Sequence, residues 1–149
     1  MVESFALQKY SLFGGLLEDQ INLIHPLVEQ ESYLAGEDII VEGERNDRIR
    51  FIIDGRVAVI KGGIILTEFS EGSTVGEMEV LDMMPSAATI KALSPTRVAS
   101  ISNRALRDVY TADLKTYALL IMNLARDLSR RLRALDEQVV SEVPFAEWN

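Results

Sequence analysis

The sequence predicts a mostly-β domain, a sandwich or closed barrel of short strands, with helices at both ends. Three observations predict it. Residues 32–102 break into short apolar runs separated by glycine turns at near-regular spacing. The segments on either side place apolar residues every three or four positions, the period of one helix face. A chain of 149 residues, 48% of them hydrophobic, buries a sizeable core without disulfides or metals, so one domain is expected.

In the N-terminal segment, residues 5–31, Leu16, Leu17, Ile21, Ile24 and Leu27 recur at helical steps. Gly14-Gly15 breaks any continuous helix, so two short helices are expected, and Pro26 disrupts the second. The strand region follows at 32–102. Ile39-Ile40-Val41 lies between Gly36 and Gly43. Residues 49–53 run into Asp54-Gly55, the strongest short hairpin signal in the chain, with Val57 and Val59 alternating beyond it. Gly62-Gly63 makes another tight turn before Ile64-Ile65-Leu66, and Ser94-Pro95-Thr96 separates strands at 87–93 and 97–101. The C-terminal helices occupy 103–142. Ser102 or Asn103 caps a short one carrying Ala105, Leu106 and Val109, and Thr111 or Asp113 caps a long one. In the long helix Ile121, Leu124, Leu128, Leu132, Leu135 and Val139 form the apolar stripe. The arginines at 126, 130, 131 and 133 read as its solvated face. Residues 143–149 read as a tail.

Composition narrows the function. A net charge of −8 argues against nucleic acid and against an anionic membrane surface. The longest apolar run, residues 117–122, is too short to span a bilayer. The first residues lack the pattern of a signal peptide, so a cytoplasmic location is expected. With no cysteine there is no disulfide, thiolate zinc site or cysteine nucleophile. His25 is alone and the acidic residues show no paired spacing, so neither a metal site nor an enzyme is expected.

The most informative stretch is Val75-Gly76-Glu77-Met78-Glu79-Val80-Leu81-Asp82-Met83-Met84-Pro85-Ser86-Ala87-Ala88-Thr89. A glycine-acid pair opens a short helical turn, and a proline leads into a strand of small residues. Such a turn gathers backbone N–H groups into a concavity that suits an anion. Yet residues 75–90 contain no arginine or lysine. Taken by themselves, Gly76 makes the turn and Glu77 caps the helix dipole.

Three further segments carry a resemblance. Leu34-Ala35-Gly36-Glu37-Asp38-Ile39-Ile40-Val41-Glu42-Gly43-Glu44, Phe51-Ile52-Ile53-Asp54-Gly55-Arg56-Val57-Ala58-Val59 and Phe69-Ser70-Glu71-Gly72-Ser73-Thr74-Val75-Gly76-Glu77 follow in order and spacing. Over residues 7–140 the chain resembles the cyclic-nucleotide-binding domain family. The resemblance implies a double-stranded β-helix, or jelly-roll-like β-roll, with N-terminal helices and two C-terminal helices. It implies a ligand such as cAMP and no required cofactor, with Gly76 and Glu77 holding the ribose and phosphate. Glu77 then accepts from the ribose 2′-hydroxyl, and Met78, Ser86, Ala87 and Thr89 complete the ligand-binding set.

Two residues depart from the family pattern. Ser86 stands where the family has an arginine, which removes a charge-assisted bond worth roughly 2–5 kcal/mol. Glu79 stands where a small residue is usual, and at about 5 Å from a phosphate its repulsion would cost roughly 3 kcal/mol. Lys91, Arg56 and Arg97 lie on other strands and read as surface charges, with a swing into the pocket as the alternative. Ala87, where guanine-selective members often carry a hydroxyl, leans any preference towards cAMP. Two functions follow. One is a non-enzymatic sensor whose ligand moves the C-terminal helices for an effector protein to read; the other is a dimeric scaffold without nucleotide. The stripe of the long helix either closes the roll against the N-terminal helices or, the favoured expectation, projects beyond it over residues 128–139 and pairs with a second copy. Too few residues follow Val140 for a DNA-reading helix-turn-helix.

Overall fold

In the computed structural model, which describes residues 3–142, the two apolar periods resolve into helices at both ends and strands between. Turns of 3-10 helix at Ser4–Lys9 and Ser11–Phe13 precede helix α1 (Glu18–Ile24). Gly14-Gly15 separates them, and Pro26 converts the end of α1 into a 3-10 turn, His25–Leu27. Strand β1 (Glu29–Tyr33) then begins within the stretch expected to be helical. Its sequence, EQESY, has no apolar face of its own. Pairing makes it a strand, from Glu29 opposite Ser100 to Tyr33 opposite Thr96.

Seven more strands follow: β2 (Asp38–Ile40), β3 (Arg48–Asp54), β4 (Arg56–Lys61), β5 (Ile64–Ser70), β6 (Thr74–Val75), β7 (Thr89–Ala92) and β8 (Thr96–Ser102). The short helix α2 (Glu77–Asp82) interrupts them. They form two antiparallel sheets, β1-β8-β3-β6 and β2-β7-β4-β5, the β-roll that the resemblance implied. Helices α3 (Asn103–Ala112) and α4 (Leu114–Glu142) complete the described chain. Ser102 caps α3, its Oγ accepting from the Ala105 N–H at 3.0 Å. The expected tail, 143–149, lies outside the described residues.

Asp54-Gly55 is not a hairpin. β3 pairs with β8 and β6, whereas β4 pairs with β5 and β7, so the chain crosses between sheets at Gly55. Asp54 lies opposite Arg97 and forms an ion pair with it at 2.5 Å. Gly55 has φ +104°, and a Cβ there would fall 2.5 Å from Thr96 Oγ1 and 2.7 Å from the Pro95 carbonyl. The glycine is present because the second crossover, at Pro95-Thr96, passes directly over the first. The tight hairpin is at Gly62-Gly63, both left-handed at φ +56° and +79°, joining Lys61 to Ile64.

Alternation along β3 divides the interior into two cores. Ile49 and Phe51 face the helices, where Phe51 stacks between Tyr10 and Phe13 at centroid distances of 4.6 and 5.3 Å. Ile52 faces the inside of the roll with Ile40, Val57, Val75, Ile90 and Val98. The proximal half of α4 closes the first core through Leu120 and Leu124. Asn123 Nδ2 donates to the Leu12 and Gly14 carbonyls at 2.9 Å each, fixing α4 to the N-terminal turns. Further along, Leu132, Leu135 and Val139 are exposed.

Gly55→Ala is expected to cost about 3 kcal/mol or more, adding a left-handed backbone to an overpacked crossover. Gly15→Ala shares the positive φ but meets nothing within 4 Å, so it should cost about 1 kcal/mol. Urea denaturation of both variants checks this, as a shift in midpoint at unchanged slope.

Candidate functional site

The site is built around one close backbone approach. Gly76 leaves β6 at φ +82°, and a Cβ on it would sit 2.8 Å from both the Arg48 carbonyl and Asn46 Nδ2. Only glycine fits this position. Asn46 Nδ2 donates to the Gly76 carbonyl at 3.1 Å and to the Arg48 carbonyl at 3.0 Å. Its Oδ1 accepts from Arg50 Nη1 at 3.0 Å. Arg50 is itself buried and paired with Glu31, Nε to Oε1 at 3.4 Å, and Tyr33 donates to Glu31. Burial would push the Glu31 carboxyl up, but the Tyr33 hydroxyl and the Arg50 charge outweigh it and hold the carboxyl below its ordinary range. This polar cluster sets where α2 begins.

From there α2 turns Glu77 inward, where it is 2% exposed. Its carboxylate meets Arg131, which arrives from α4 and is 54 residues distant in sequence. One guanidinium nitrogen donates to Glu77 Oε1 and the other to the Thr74 carbonyl. The plane of charge lies over the Phe69 ring, 4.8 Å from its centroid. Burial pushes the Glu77 carboxyl above its usual value, and the Arg131 charge opposes that rise. The expectation that the α4 arginines form a solvated face therefore fails at Arg131. It lies two turns beyond the buried Leu124, on the continuation of the apolar stripe, and that spacing was the available signal.

The other expected site residues are spread over a second locus. Ser86 is buried, its N–H and carbonyl bonded to the loop at 43–44, while its Oγ has no hydrogen-bond partner. Thr89 Oγ1 accepts from the Glu42 N–H at 3.0 Å. Ala87 is exposed, and its carbonyl accepts from Lys61 Nζ of β4 at 2.7 Å. Met78 is 49% exposed on α2. Thus Gly76 and Glu77 come together with Arg131, and Ser86, Ala87 and Thr89 with the 42–44 loop and Lys61. Sequence reasoning named Arg131 only as part of the solvated face of α4 and did not name Lys61.

The bases it did weigh stay outside. Lys91 pairs with Asp38 at 2.8 Å, Arg56 with Glu68 at 3.5 Å and Arg97 with Asp54. Glu79 lines a cleft of about 400 Å³ with Arg45, Asn46, Asp47 and Met83. A second cleft, about 350 Å³, lies between α2 and the C-terminal helices, lined by Leu81, Leu106, Tyr110, Tyr117 and Ile121. Among the described residues no His, Asp and Glu cluster could hold a metal, and no helix is long and apolar enough to cross a membrane.

Comparison with known proteins agrees with this architecture. The family model for the cyclic nucleotide-binding domain matches residues 30–113. A cAMP-dependent protein kinase regulatory subunit of Yarrowia lipolytica is 29% identical over 98 residues, which is 66% of this chain and 26% of that protein. A cyclic AMP receptor protein of Thermus thermophilus is 28% identical over 130 residues, 84% of this chain and 58% of that one. The chain thus spans about a quarter of the first relative and just over half of the second. A crystal structure of a cyclic nucleotide-binding domain from Methylobacillus flagellatus superposes with a TM-score of 0.82 at 24% identity, covering 92% of this chain and 80% of that one. These relatives are named as regulatory, receptor and binding proteins. With a buried glycine-glutamate turn set into an antiparallel β-roll, this chain belongs to the cyclic nucleotide-binding domain family.

Proposed function

We propose that the chain is a non-enzymatic sensor that binds a cyclic nucleotide, cAMP first among them, beside Gly76 and Glu77. The observation that carries this reading is the buried Glu77–Arg131 pair, which joins the ligand-binding turn to the C-terminal helix. A ribose hydroxyl donating to Glu77 competes with the guanidinium for the same carboxylate. Arg131 then redistributes its donors, and with them its hold on Thr74 and Phe69. A change at the turn therefore becomes a change in the seating of α4, which an effector protein can read. The named functions of the kinase regulatory subunit and the receptor protein support a regulatory role. The acidic surface fits a cytoplasmic module that engages neither nucleic acid nor membrane.

A second reading is favoured by a specific observation: Ser86 brings no charge, and Arg131 already occupies Glu77. In that reading the domain is a dimeric scaffold. Both readings use the distal half of α4 for a homodimer, since Leu132, Leu135, Val139 and Val140 are each 58–74% exposed there.

Calorimetric titration separates the two. Native protein is expected to bind cAMP more tightly than cGMP, and Glu77→Gln to weaken cAMP by about tenfold or more. Glu79→Ala should change affinity by less than about threefold, because Glu79 lines an open cleft beside Arg45, where its charge is screened. No heat with either nucleotide would transfer the assignment to the scaffold.

Protonation supplies a further check. With its pKa raised by burial, Glu77 loses its charge as pH falls through a midpoint above the ordinary carboxylate range. Above that midpoint Arg131 offsets part of the cost of the buried charge; because the folded pKa is raised, ionising Glu77 lowers net stability as pH rises, and that stability returns as pH falls through the midpoint. Arg131→Ala should cost about 1–3 kcal/mol at neutral pH. It should also move the Glu77 midpoint further upward, because desolvation is then unopposed. Carboxyl-carbon NMR titration of both proteins measures the shift.

Light scattering tests the dimer. Native protein is expected at twice the 16.6 kDa chain mass, and Leu132→Asp with Leu135→Asp at the chain mass itself.

A further inference from the structure

Residues 75–90 carry no basic side chain, yet the structure places an ammonium against them. Lys61 closes β4 immediately before the Gly62-Gly63 hairpin. Along β4, Val57 and Val59 face the interior of the roll, opposite Ala92 and Ile90 of β7. The same alternation carries Lys61 towards the turn that leads into β7. Its Nζ donates to the Ala87 carbonyl at 2.7 Å, which commits one of three N–H donors. Among the described residues Lys61 has no ion pair, unlike Lys91, Arg56 and Arg97. The nearby carboxylate is that of Glu42, whose Oε1 accepts from the Gly62 N–H at 3.3 Å. One residue before Ala87, Ser86 is 3% exposed, and its Oγ is sealed from solvent with no partner. A buried hydroxyl without a partner is unusual in a folded protein. Here it lies next to the residue that holds a cation with two donors to spare.

We propose that Lys61 and Ser86 together form an anion subsite at the 86–87 turn, Lys61 supplying the charge that Ser86 lacks and Ser86 Oγ donating a hydrogen bond. The inference rests on the sensor reading above, and the anion is the phosphate of the cyclic nucleotide. Lys61 exchanges the Ala87 carbonyl for a phosphate oxygen when the ligand enters. The charge comes from β4 instead of the turn itself, so the β4–β5 hairpin becomes part of the binding site.

The test is calorimetric titration of cAMP into native protein, Lys61→Ala, Lys61→Arg and the Lys61→Ala, Ser86→Arg double variant, each at low and high salt. Lys61→Ala should lose about tenfold or more in affinity and most of the salt dependence. Lys61→Arg should stay within about threefold of native, and Ser86→Arg should restore binding to the alanine variant. Lys61 is exposed, so the two single variants should keep the native urea midpoint, and the midpoint of the double variant, whose arginine enters a buried position, shows whether it folds. If native protein binds cAMP and Lys61→Ala binds it equally, at the same salt slope, the subsite is overturned and the sensor reading stands. If native protein binds no cAMP, the sensor reading falls and the subsite falls with it.

Discussion

A carboxylate buried to 2% exposure has to be matched by a cation, and the arrangement of this domain around its glycine turn follows from that requirement. Glu77 cannot find its cation in the surrounding sequence. It takes one from α4, and Arg131 in turn reaches the Thr74 carbonyl and the Phe69 ring. One guanidinium thus touches β5, β6 and α2 while belonging to a helix whose apolar anchors, Leu120 and Leu124, lie on the opposite core. The two cores of the molecule meet through a charge. α4 is held at its proximal end by the packing of Leu120 and Leu124 and by the hydrogen bonds of Asn123 and Asp127 to the N-terminal turns, and midway by this electrostatic contact. Of the contacts that seat it, this is the one that involves the carboxyl group of the glycine turn.

The cradle without a charge, which the sequence presents at residues 75–90, is a consequence of reading along the chain. In space its surroundings are basic, with Arg131 on one side and Lys61 on another, and the buried Arg50 behind Gly76 through Asn46. These three play different parts. Arg50 is neutralised by Glu31 and serves to place the glycine. Arg131 is neutralised by Glu77 and links the site to the helix. Lys61 alone of the three has no carboxylate partner among the described residues.

Local signals in the sequence were legible where local chemistry decides the outcome. Ser102 as a cap, Gly14-Gly15 as a break, Pro26 as the end of α1 and the alternation of Val57 and Val59 in β4 all describe what the structure contains. The failures share a different cause. Asp54-Gly55 has the composition of a type I′ hairpin, but its glycine answers to Pro95 and Thr96, some forty residues away. β1 has no apolar pattern because its identity comes from β8. Arg131 looks like a surface residue in composition and is a half-buried partner of Glu77 by position. Thr89 has the hydroxyl expected of it, but that hydroxyl already accepts the Glu42 amide. In each case the deciding contact is with a remote segment, which local propensity does not encode; only for Arg131 did the spacing from Leu124 carry a signal.

The strand order has a bearing on how the molecule comes to exist at all. β4 with β5 is the only pairing among the described strands that joins sequence neighbours. Elsewhere Ile40 waits for Ile90, Arg50 for Val75 and Glu29 for Ser100. β8 lies between β1 and β3, so the first sheet has no centre until that strand arrives. Long loops must close before these contacts repay their entropy, which makes assembly slow relative to a helical domain of equal size. On the ribosome, a chain that has emerged only to Ala92 possesses one sheet and half of another. Synthesis of the last strand, more than of any earlier one, is the event that converts an exposed set of edges into a closed roll.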